Sequence, residues 1–382
     1  MQSNSLQFGA DGKFKIVQFA DIQETYVVNP DTLDFMRAVL DREKPDLVVL
    51  SGDQIKGYGL YFLTGNKEQK FRATLNKILA PMVERNIPIA AVFGNHDEAE
   101  GASKPFQWGI YKQNGQIGEN VEGLPGYGNY CLEIKNRSAD GKAFLLWFFD
   151  SSSRAFDTQL KYVTQQQLNW YRSQRDAIEQ EKGYLPKSLV FQHIPLLEVY
   201  ELLKETKKGQ KGSYESFTGE YKNRFFTLSD DIEEGGFMGE NVAAPAFNSG
   251  EFDVLAEKGD VIGIFFGHDH NNSFVGTHRG IRMGYTQGCG FNCYGPGLDR
   301  GARVFILDEK NTDSFYTSTV TYKSFPEKKL KRPVKEYLYR ISPSSVNVLK
   351  KSLKKYFAIT AVTATAAAAS FALIKNFSKR GD

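Results

Sequence analysis

A chain of 382 residues exceeds an average domain and has room for one large catalytic body with appendages. Its 41% apolar and 24% charged residues, with 29 Phe and 19 Tyr, exclude a disordered polymer, a collagen-like repeat and a polytopic membrane protein. The net charge of +3 conceals a division: from Lys323 onward there are 14 Lys/Arg against 3 Asp/Glu, which leaves 34 against 42 in the first 322 residues, so a basic tail follows an acidic body.

The body opens with an apolar run, Phe14 to Ala20, that reads as a strand. Pro30 to Glu43 reads as a helix, with Asn29 as its N-cap and Pro30 at the first helical position, where a missing N–H does no harm. Leu47 to Leu50 follows as a buried strand, Glu68 to Arg85 as a helix and Ile87 to Phe93 as a third strand. This β-α-β-α-β series predicts a mostly parallel sheet. Tyr130 to Lys135 and Ala143 to Phe149 flank the turn-like Ser138-Ala139-Asp140-Gly141 and predict a hairpin. Gln165 to Gln180 reads as a helix, and Ser188 to Phe191 and Val261 to Phe266 as strands. Between those strands, Tyr200 to Gly250 has weak periodicity and reads as an excursion over the surface. Ser273 to Val275, Ile281 to Tyr285, Ala302 to Leu307 and Ser314 to Val320 then run strand after strand, so the second sheet is expected to be largely antiparallel.

Beyond the body, residues 323–356 read as a basic linker and 375–382 as a basic tail. Between them Phe357 to Ile374 carries no charge. As a helix it would extend about 27 Å, close to the hydrocarbon thickness of about 30 Å. The expectation is a C-terminal transmembrane anchor; an Ala-rich helix packed on the body or on a partner is the alternative. Met1 to Gly12 has neither a basic n-region nor an apolar h-region, so no secretory signal is expected. Cys131, Cys289 and Cys293 are too few for a disulfide scaffold and lack a second Cys or His pair at zinc spacing, so they read as free thiols in a reducing compartment. The body is therefore expected in the cytoplasm, anchored to a membrane or free of it.

Polar residues at the carboxyl ends of strands in an open α/β sheet line the crevice where ligands bind. Here the strands run into Asp21-Ile22-Gln23, Gly52-Asp53-Gln54, Gly94-Asn95-His96-Asp97, Gln192-His193-Ile194-Pro195 and Gly267-His268-Asp269-His270. Four of the five histidines fall at such ends. A lone histidine after a strand is ordinarily packed or solvated. Four of them beside two Asp and an Asn form a set of imidazole and oxygen donors able to hold two divalent cations, with a carboxylate as the natural bridge.

The ordered series D-x-[H/Q], GD, GNHD, H and GHxH resembles the calcineurin-like metallophosphoesterase superfamily over nearly all of residues 14 to 308. Gly52-Asp53-Gln54-Ile55, the stretch Asn248-Ser249-Gly250-Glu251-Phe252 before Gly259-Asp260-Val261, and Gly290-Phe291-Asn292-Cys293-Tyr294-Gly295 look like the subgroup of small plant purple-acid-phosphatase-like proteins and their yeast and bacterial relatives. The resemblance implies an α/β (α+β) fold over residues 1–322: a four-layer β-sandwich of two mixed sheets flanked by helices, with a C-terminal helix after it. It further implies that Asp21, Gln23, Asp53 and His270 hold one metal and that Asp53, Asn95, His193 and His268 hold a second, with Asp53 bridging. His96 would stay free of metal and face the leaving group, oriented by Asp97. Two divalent ions, Mn, Fe or Zn, would generate a hydroxide for in-line attack on phosphorus while His96 protonates the departing alkoxide.

This chain departs from the family pattern at two places. Gln23 stands where most members have His, and a neutral amide oxygen binds first-row cations more weakly than imidazole. Lys56 stands where purple acid phosphatases have the Tyr that colours them, which argues against an iron–tyrosinate centre. Of the remaining polar residues, Asp269 reads as a structural hydrogen-bonding group, His278 as a solvated histidine, Asp150 as a loop cap and Lys204 to Lys211 as a solvated face.

The expected function is hydrolysis of a phosphomonoester or phosphodiester. A nuclease or nucleotide hydrolase of the same superfamily and a non-catalytic adaptor on the same fold are the alternatives. An acidic body disfavours nucleic acid as a partner, because neutralising phosphates needs a basic stripe. A nearly complete ligand set with His96 in place disfavours the adaptor.

Overall fold

Two sheets carry the fold, with strands numbered here in chain order. The computed structural model describes residues 5–57, 62, 65–98, 102–152, 162–233, 235–344 and 348–350. The five-stranded sheet contains β2 (Lys13–Phe19), β3 (Leu47–Ser51), β4 (Ile89–Val92), β16 (Gly301–Asp308) and β17 (Tyr316–Thr321), ordered β17-β16-β2-β3-β4. Its β2, β3 and β4 are parallel, as the alternation of strand and helix predicts, with Val17 opposite Val48 and Leu50 opposite Ala91. The seven-stranded sheet contains β1 (Leu6–Gln7), β5 (Tyr130–Lys135), β6 (Phe144–Phe149), β7 (Lys187–Gln192), β12 (Val261–Phe266), β14 (Val275–His278) and β15 (Ile281–Tyr285), ordered β1-β5-β6-β7-β12-β15-β14. Two smaller sheets pair β8 (Leu203–Thr206), β9 (Tyr214–Glu215) and β10 (Phe225–Leu228), and β11 (Phe237–Met238) with β13 (Asn272–Ser273).

Six helices flank these sheets among the described residues: α1 (Pro30–Glu43), α2 (Lys67–Val83), α3 (Lys104–Gln113), α4 (Gln165–Lys182), α5 (Glu251–Ala256) and α6 (Pro333–Arg340). Helix α1 starts where its local signals place it: Asn29 Oδ1 accepts the Asp31 N–H at 3.1 Å and Pro30 occupies the first turn. Helix α4 opens with a reciprocal capping box between Thr164 and Gln167.

The mixed α/β sandwich with flanking helices follows from strands that bury both faces. In β6, Phe144, Leu146 and Phe148 join the apolar cluster shared with the five-stranded sheet and α1, whereas Leu145, Trp147 and Phe149 join a second cluster with Leu168 and Tyr171 of α4. Successive side chains of a strand point to opposite faces, so one all-apolar run supplies two cores. Between the sheets, Phe305 meets Phe191 and Phe265 edge to face, with ring centroids 5.5 and 4.5 Å apart.

Three expectations are corrected. The seven-stranded sheet is mostly parallel: β1 with β5, β6 with β7, β7 with β12 and β12 with β15 are parallel pairs, and only β5–β6 and β14–β15 are antiparallel. The closing strands mislead because β16 leaves this sheet to pair with β2 of the other, and β17 pairs with β16. The 200–250 region is not a plain surface excursion: β8, β9 and β10 form a small antiparallel sheet, Tyr200 stacks on Tyr221 at 4.1 Å, and Phe226 and Val242 are buried in the second core. Its periodicity is weak because its strands are only two to four residues long. The segment read as a linker contains α6, and just before that helix the Lys331 and Arg332 N–H groups donate to the Asp31 carboxylate at 2.7 and 3.0 Å. The compact unit that holds both sheets runs through Arg340. Among the described residues no helix is long and apolar enough to cross a membrane, and Phe357 to Ile374 lies outside them.

Candidate metal centre

Every residue of the expected site lies just past a strand's carboxyl end. Asp21 and Gln23 follow β2, Asp53 follows β3 and Asn95, His96 and Asp97 follow β4, while His193 follows β7 and His268 and His270 follow β12. Parallel strands of both sheets therefore deliver their carboxyl ends to one place. Bonds between sheets hold the two sets together. The His268 N–H donates to Asp21 Oδ2 at 2.9 Å, and His193 Nε2 lies 3.3 Å from Asp53 Oδ2.

The turns that carry these side chains are strained. Asp21, Gln23, Asp53 and His268 have φ of 50°, 37°, 55° and 75°, a left-handed region that costs a non-glycine residue roughly 1–2 kcal/mol. Neighbouring glycines admit the close approach. A Cβ on Gly94 would sit 2.0 Å from Asp53 Oδ1, and one on Gly52 would sit 2.4 Å from His193 Nδ1. The dipeptides Gly52-Asp53 and Gly94-Asn95 thus have a steric reason: the residue beside each donor must lack a side chain.

The side chains fall into two groups around Asp53. On one side Asp53, His193 and His268 bring potential ligand atoms within 4.8 Å of one another, and His268 Nδ1 is 3.3 Å from His193 Nε2. Asn95 Oδ1 is buried and has no hydrogen-bond partner. On the other side His270 Nε2 lies 3.2 Å from Asp21 Oδ1, itself without a hydrogen-bond donor, and Gln23 Nε2 donates to Asp53 Oδ2 at 3.0 Å. Gln23 thus touches the Asp53 carboxylate through its NH₂, and its amide would have to turn over to present oxygen to a cation. Buried oxygens with no partner, and imidazole nitrogens facing carboxylates, suit cations: Asp53, His193 and His268 fit one divalent ion, and the Asp21–His270 pair offers part of a second site.

Two backbone carbonyls orient the rings of His193 and His270. His193 Nδ1 faces the Ser51 carbonyl at 3.0 Å and His270 Nδ1 faces the Tyr294 carbonyl at 2.9 Å, which directs each Nε2 into the centre. The Tyr294 ring also stacks on His270 at 4.1 Å. Sequence reasoning misses Ser51 and Tyr294 in these roles, because a backbone acceptor has no residue signature.

Asp97 works through the main chain. The sequence points to it as the residue that orients His96. In the structure its carboxylate accepts the N–H groups of Asp53 and Gly94, both at 2.7 Å, and of Ile55 at 3.0 Å. It therefore ties the β3 turn to the β4 turn and positions Asp53 and the His96 loop. His96 meets Asp53 directly: its N–H donates to Asp53 Oδ1 at 2.7 Å, and its Nε2 lies 3.9 Å from Oδ2. Gln107 of α3, also missed in the sequence, holds the far end of this loop by donating to the carbonyls of Asp97 and Ala102.

Charge follows this geometry. Burial opposes ionisation of Asp53, yet His193 and His96 beside it hold its carboxyl well below the usual carboxylate range. Burial, and then the Asp53 charge, push Asp97 up to about 7. Burial also disfavours charge on His193, but Asp53 outweighs it and raises the imidazole to about 9. His268 is pushed down by burial and by His193 and so offers a neutral lone pair. The centre collects protons where cations would take their place.

Of the other expected roles, those of Asp269, Lys204 and the thiols hold, and those of His278 and Asp150 shift. Asp269 is a buried hydrogen-bonding group, accepting the Ala243 N–H at 3.0 Å. His278 is not simply solvated, since its ring lies 4.9 Å from that of Phe252. Asp150 forms a buried ion pair with Lys104 at 2.6 Å as well as capping its loop through Ser152. Lys56 is buried, its Nζ 3.4 Å from the Asn292 carbonyl. Lys204 is exposed and pairs with Asp230, and the three thiols are free.

Known proteins share this arrangement of sequence. A family model described as calcineurin-like phosphoesterase matches residues 14–272. The chain is similar to "Probable inactive purple acid phosphatase 29" of Arabidopsis thaliana, 28% identical over 80% of this chain and 80% of that protein. It is also similar to "Phosphatase DCR2" of Saccharomyces cerevisiae, 29% identical over 76% of this chain and 49% of that protein. Among solved structures, a dimetal phosphatase from Danio rerio aligns with a TM-score of 0.43 and 14% identity over 81% of this chain and 99% of that one.

Proposed function

The chain belongs to the calcineurin-like phosphoesterases, and from that premise we propose that it hydrolyses a phosphoric ester with two divalent cations held between the strand ends. One observation carries the reading: buried Asp53 converges with His193 and His268, and two further buried oxygens, Asn95 Oδ1 and Asp21 Oδ1, lack a hydrogen-bond partner. Asp21, Gln23, Asp53 and His270 would hold one cation and Asp53, Asn95, His193 and His268 the other. When bound, such a pair supplies Lewis acidity toward the phosphoryl oxygens and acidifies the attacking water.

The residues of the chain supply the rest. Asp53 contributes the shared negative charge, kept ionised by the imidazoles beside it. Asp97 and Gln107 fix the loop that carries His96. The His96 side chain has an open side, 36% exposed against 0% for His193 and 1% for His270, so it can reach a leaving group and give it a proton. An adaptor on this fold would tolerate loss of these donors. This chain keeps seven of them and His96, which favours activity although the Arabidopsis relative is named inactive.

The test is a panel of phosphate monoesters and diesters assayed with Mn²⁺, Fe²⁺, Zn²⁺ and chelator, alongside metal content of the full chain. The reading expects two metals per chain and turnover that chelator removes. Two bound metals with no turnover of any ester would leave the fold but overturn the activity.

A further inference from the structure

Away from the metal centre, a guanidinium is buried with no carboxylate in ion-pair contact among the described residues. Edge strand β17 of the five-stranded sheet and edge strand β14 of the seven-stranded sheet border a cavity of about 500 Å³, lined by Glu233, Ser273, Arg303, Thr317 and Thr319 among others. Arg303, from β16, is only 4% exposed. Three of its five N–H groups have acceptors: Nη1 reaches Thr317 Oγ1 at 3.4 Å, and Nη2 reaches Ser273 Oγ at 3.3 Å and the Tyr285 carbonyl at 2.9 Å. Nε is buried with no acceptor. None of the three acceptors carries a charge.

The neighbouring carboxylate is already committed. Glu233 receives Nε and Nη2 of Arg282, both at 2.7 Å, one to each oxygen. Two guanidinium groups therefore draw on one carboxylate. The Phe265 ring, 5.9 Å from Arg303 Cζ, contributes a cation–π contact of roughly 0.5–2 kcal/mol. Taking an ion out of water costs several kcal/mol, so that contact does not offset it. Burial lowers the Arg303 pKa to about 10, and Glu233 restores it only in part.

The geometry points to a second binding site here, for a phosphate group, either inorganic phosphate or the phosphate of a small organic ester. Nε is sealed from the cavity, so the remaining Nη1 N–H of Arg303 supplies the charge-assisted contact. The Ser273 and Thr319 hydroxyls donate to no protein acceptor among the described residues, and a tetrahedral oxyanion can use donors from several directions where a carboxylate offers only two oxygens in a plane. The cavity has room for an organic group beyond the phosphate. No residue of this lining belongs to the metal centre, although Ser273 is only three positions beyond His270.

The test uses the full chain in EDTA, which removes cations that could hold phosphate at the other site. Radiolabelled inorganic phosphate is measured by equilibrium dialysis, and thermal melting is followed with phosphate, glycerol 3-phosphate and acetate. The site expects one phosphate per chain, a raised Tm, and binding at least about tenfold weaker in Arg303→Met, because a charge-assisted pair of about 1.5–3 kcal/mol is lost. Replacing an unpaired buried charge by an apolar side chain should leave the fold intact. Should that variant fail to fold, Thr319→Glu at the same cavity must weaken phosphate to a similar extent. Tighter binding of glycerol 3-phosphate than of inorganic phosphate would identify an ester as the natural occupant, and the reverse would identify free phosphate. Loss of binding in EDTA, parental binding in a folded Arg303→Met or Thr319→Glu, or acetate binding as tightly as phosphate would each overturn the site.

Discussion

Asp53 and Glu251 are both buried acids, and their surroundings push one toward the ionised form and the other toward the neutral form. Asp53 sits at the end of β3 among His193, His96 and the backbone N–H of His96, which hold it well below the usual carboxylate range in spite of burial. Glu251 opens α5 in the second core. Burial, and then the charge of Glu198, push it up to about 8, and its Oε1 has no hydrogen-bond partner. Burial alone makes an acid neutral; a convergence of imidazoles keeps it ionised and leaves a charge for cations to use. An acidic letter in the sequence thus acquires its chemistry from its partners, and the two regions can be tested against each other.

The largest effect should come from removing the charge that sets Asp53 apart. Asp53→Asn is expected to lower turnover by more than the roughly 10²–10³-fold that one electrostatic contact supplies, and to release metal, measured as metal per chain after gel filtration. Activity near that of the parent would contradict a shared bridge. Glu251→Gln, which removes a nominal charge of equal size, should leave turnover unchanged in the same assay.

Next in size is His96. His96→Ala should retain metal and lower turnover of esters with poor leaving groups by roughly 10²–10⁴-fold, with a smaller loss for nitrophenyl esters. If metal content fell in parallel with turnover, His96 would be a ligand and the division between ligands and acid would be redrawn.

A smaller, opposite effect is expected at Gln23. Its amide touches Asp53 Oδ2 through NH₂, so imidazole in its place should lower the Mn²⁺ or Zn²⁺ concentration for half-maximal rate several-fold. An unchanged metal titration of Gln23→His would remove this position from the ligand set.

The smallest effect is on stability, at Glu251. Its folded pKa of about 8 lies above the ordinary 4.5, so the folded state binds its proton more tightly than the unfolded chain does. Stability should therefore be fully supported below about pH 4.5 and fall, on the order of 1 kcal/mol per pH unit, as pH rises toward 8. Glu251→Gln should flatten that slope in denaturant melts across pH 5–8. Equal slopes in parent and variant would mean that Glu251 is ionised in the fold.

The sequence by itself determined the elements whose signals are local. The N-cap and Pro of α1, the apolar runs of β3 and β12 and the glycines before Asp53, Asn95 and His268 are encoded within a few residues of where they act. For the same reason the donors Asp21, Asp53, Asn95, His193, His268 and His270 stand out along the linear chain, since each follows a strand and strand ends converge in an α/β sheet. Only the tertiary structure decided which sheet each late strand joins. The pairing of β16 with β2 joins segments nearly 300 residues apart and no local period records it, while β17 follows β16 into that sheet as its hairpin partner. The structure also decided that Asp97 grips backbone rather than His96, that carbonyls of Ser51 and Tyr294 aim two imidazoles, and that Arg303 is buried without a carboxylate. Each of these depends on what lies across a gap in space, where main-chain atoms common to every residue do the recognising and the side-chain alphabet is silent.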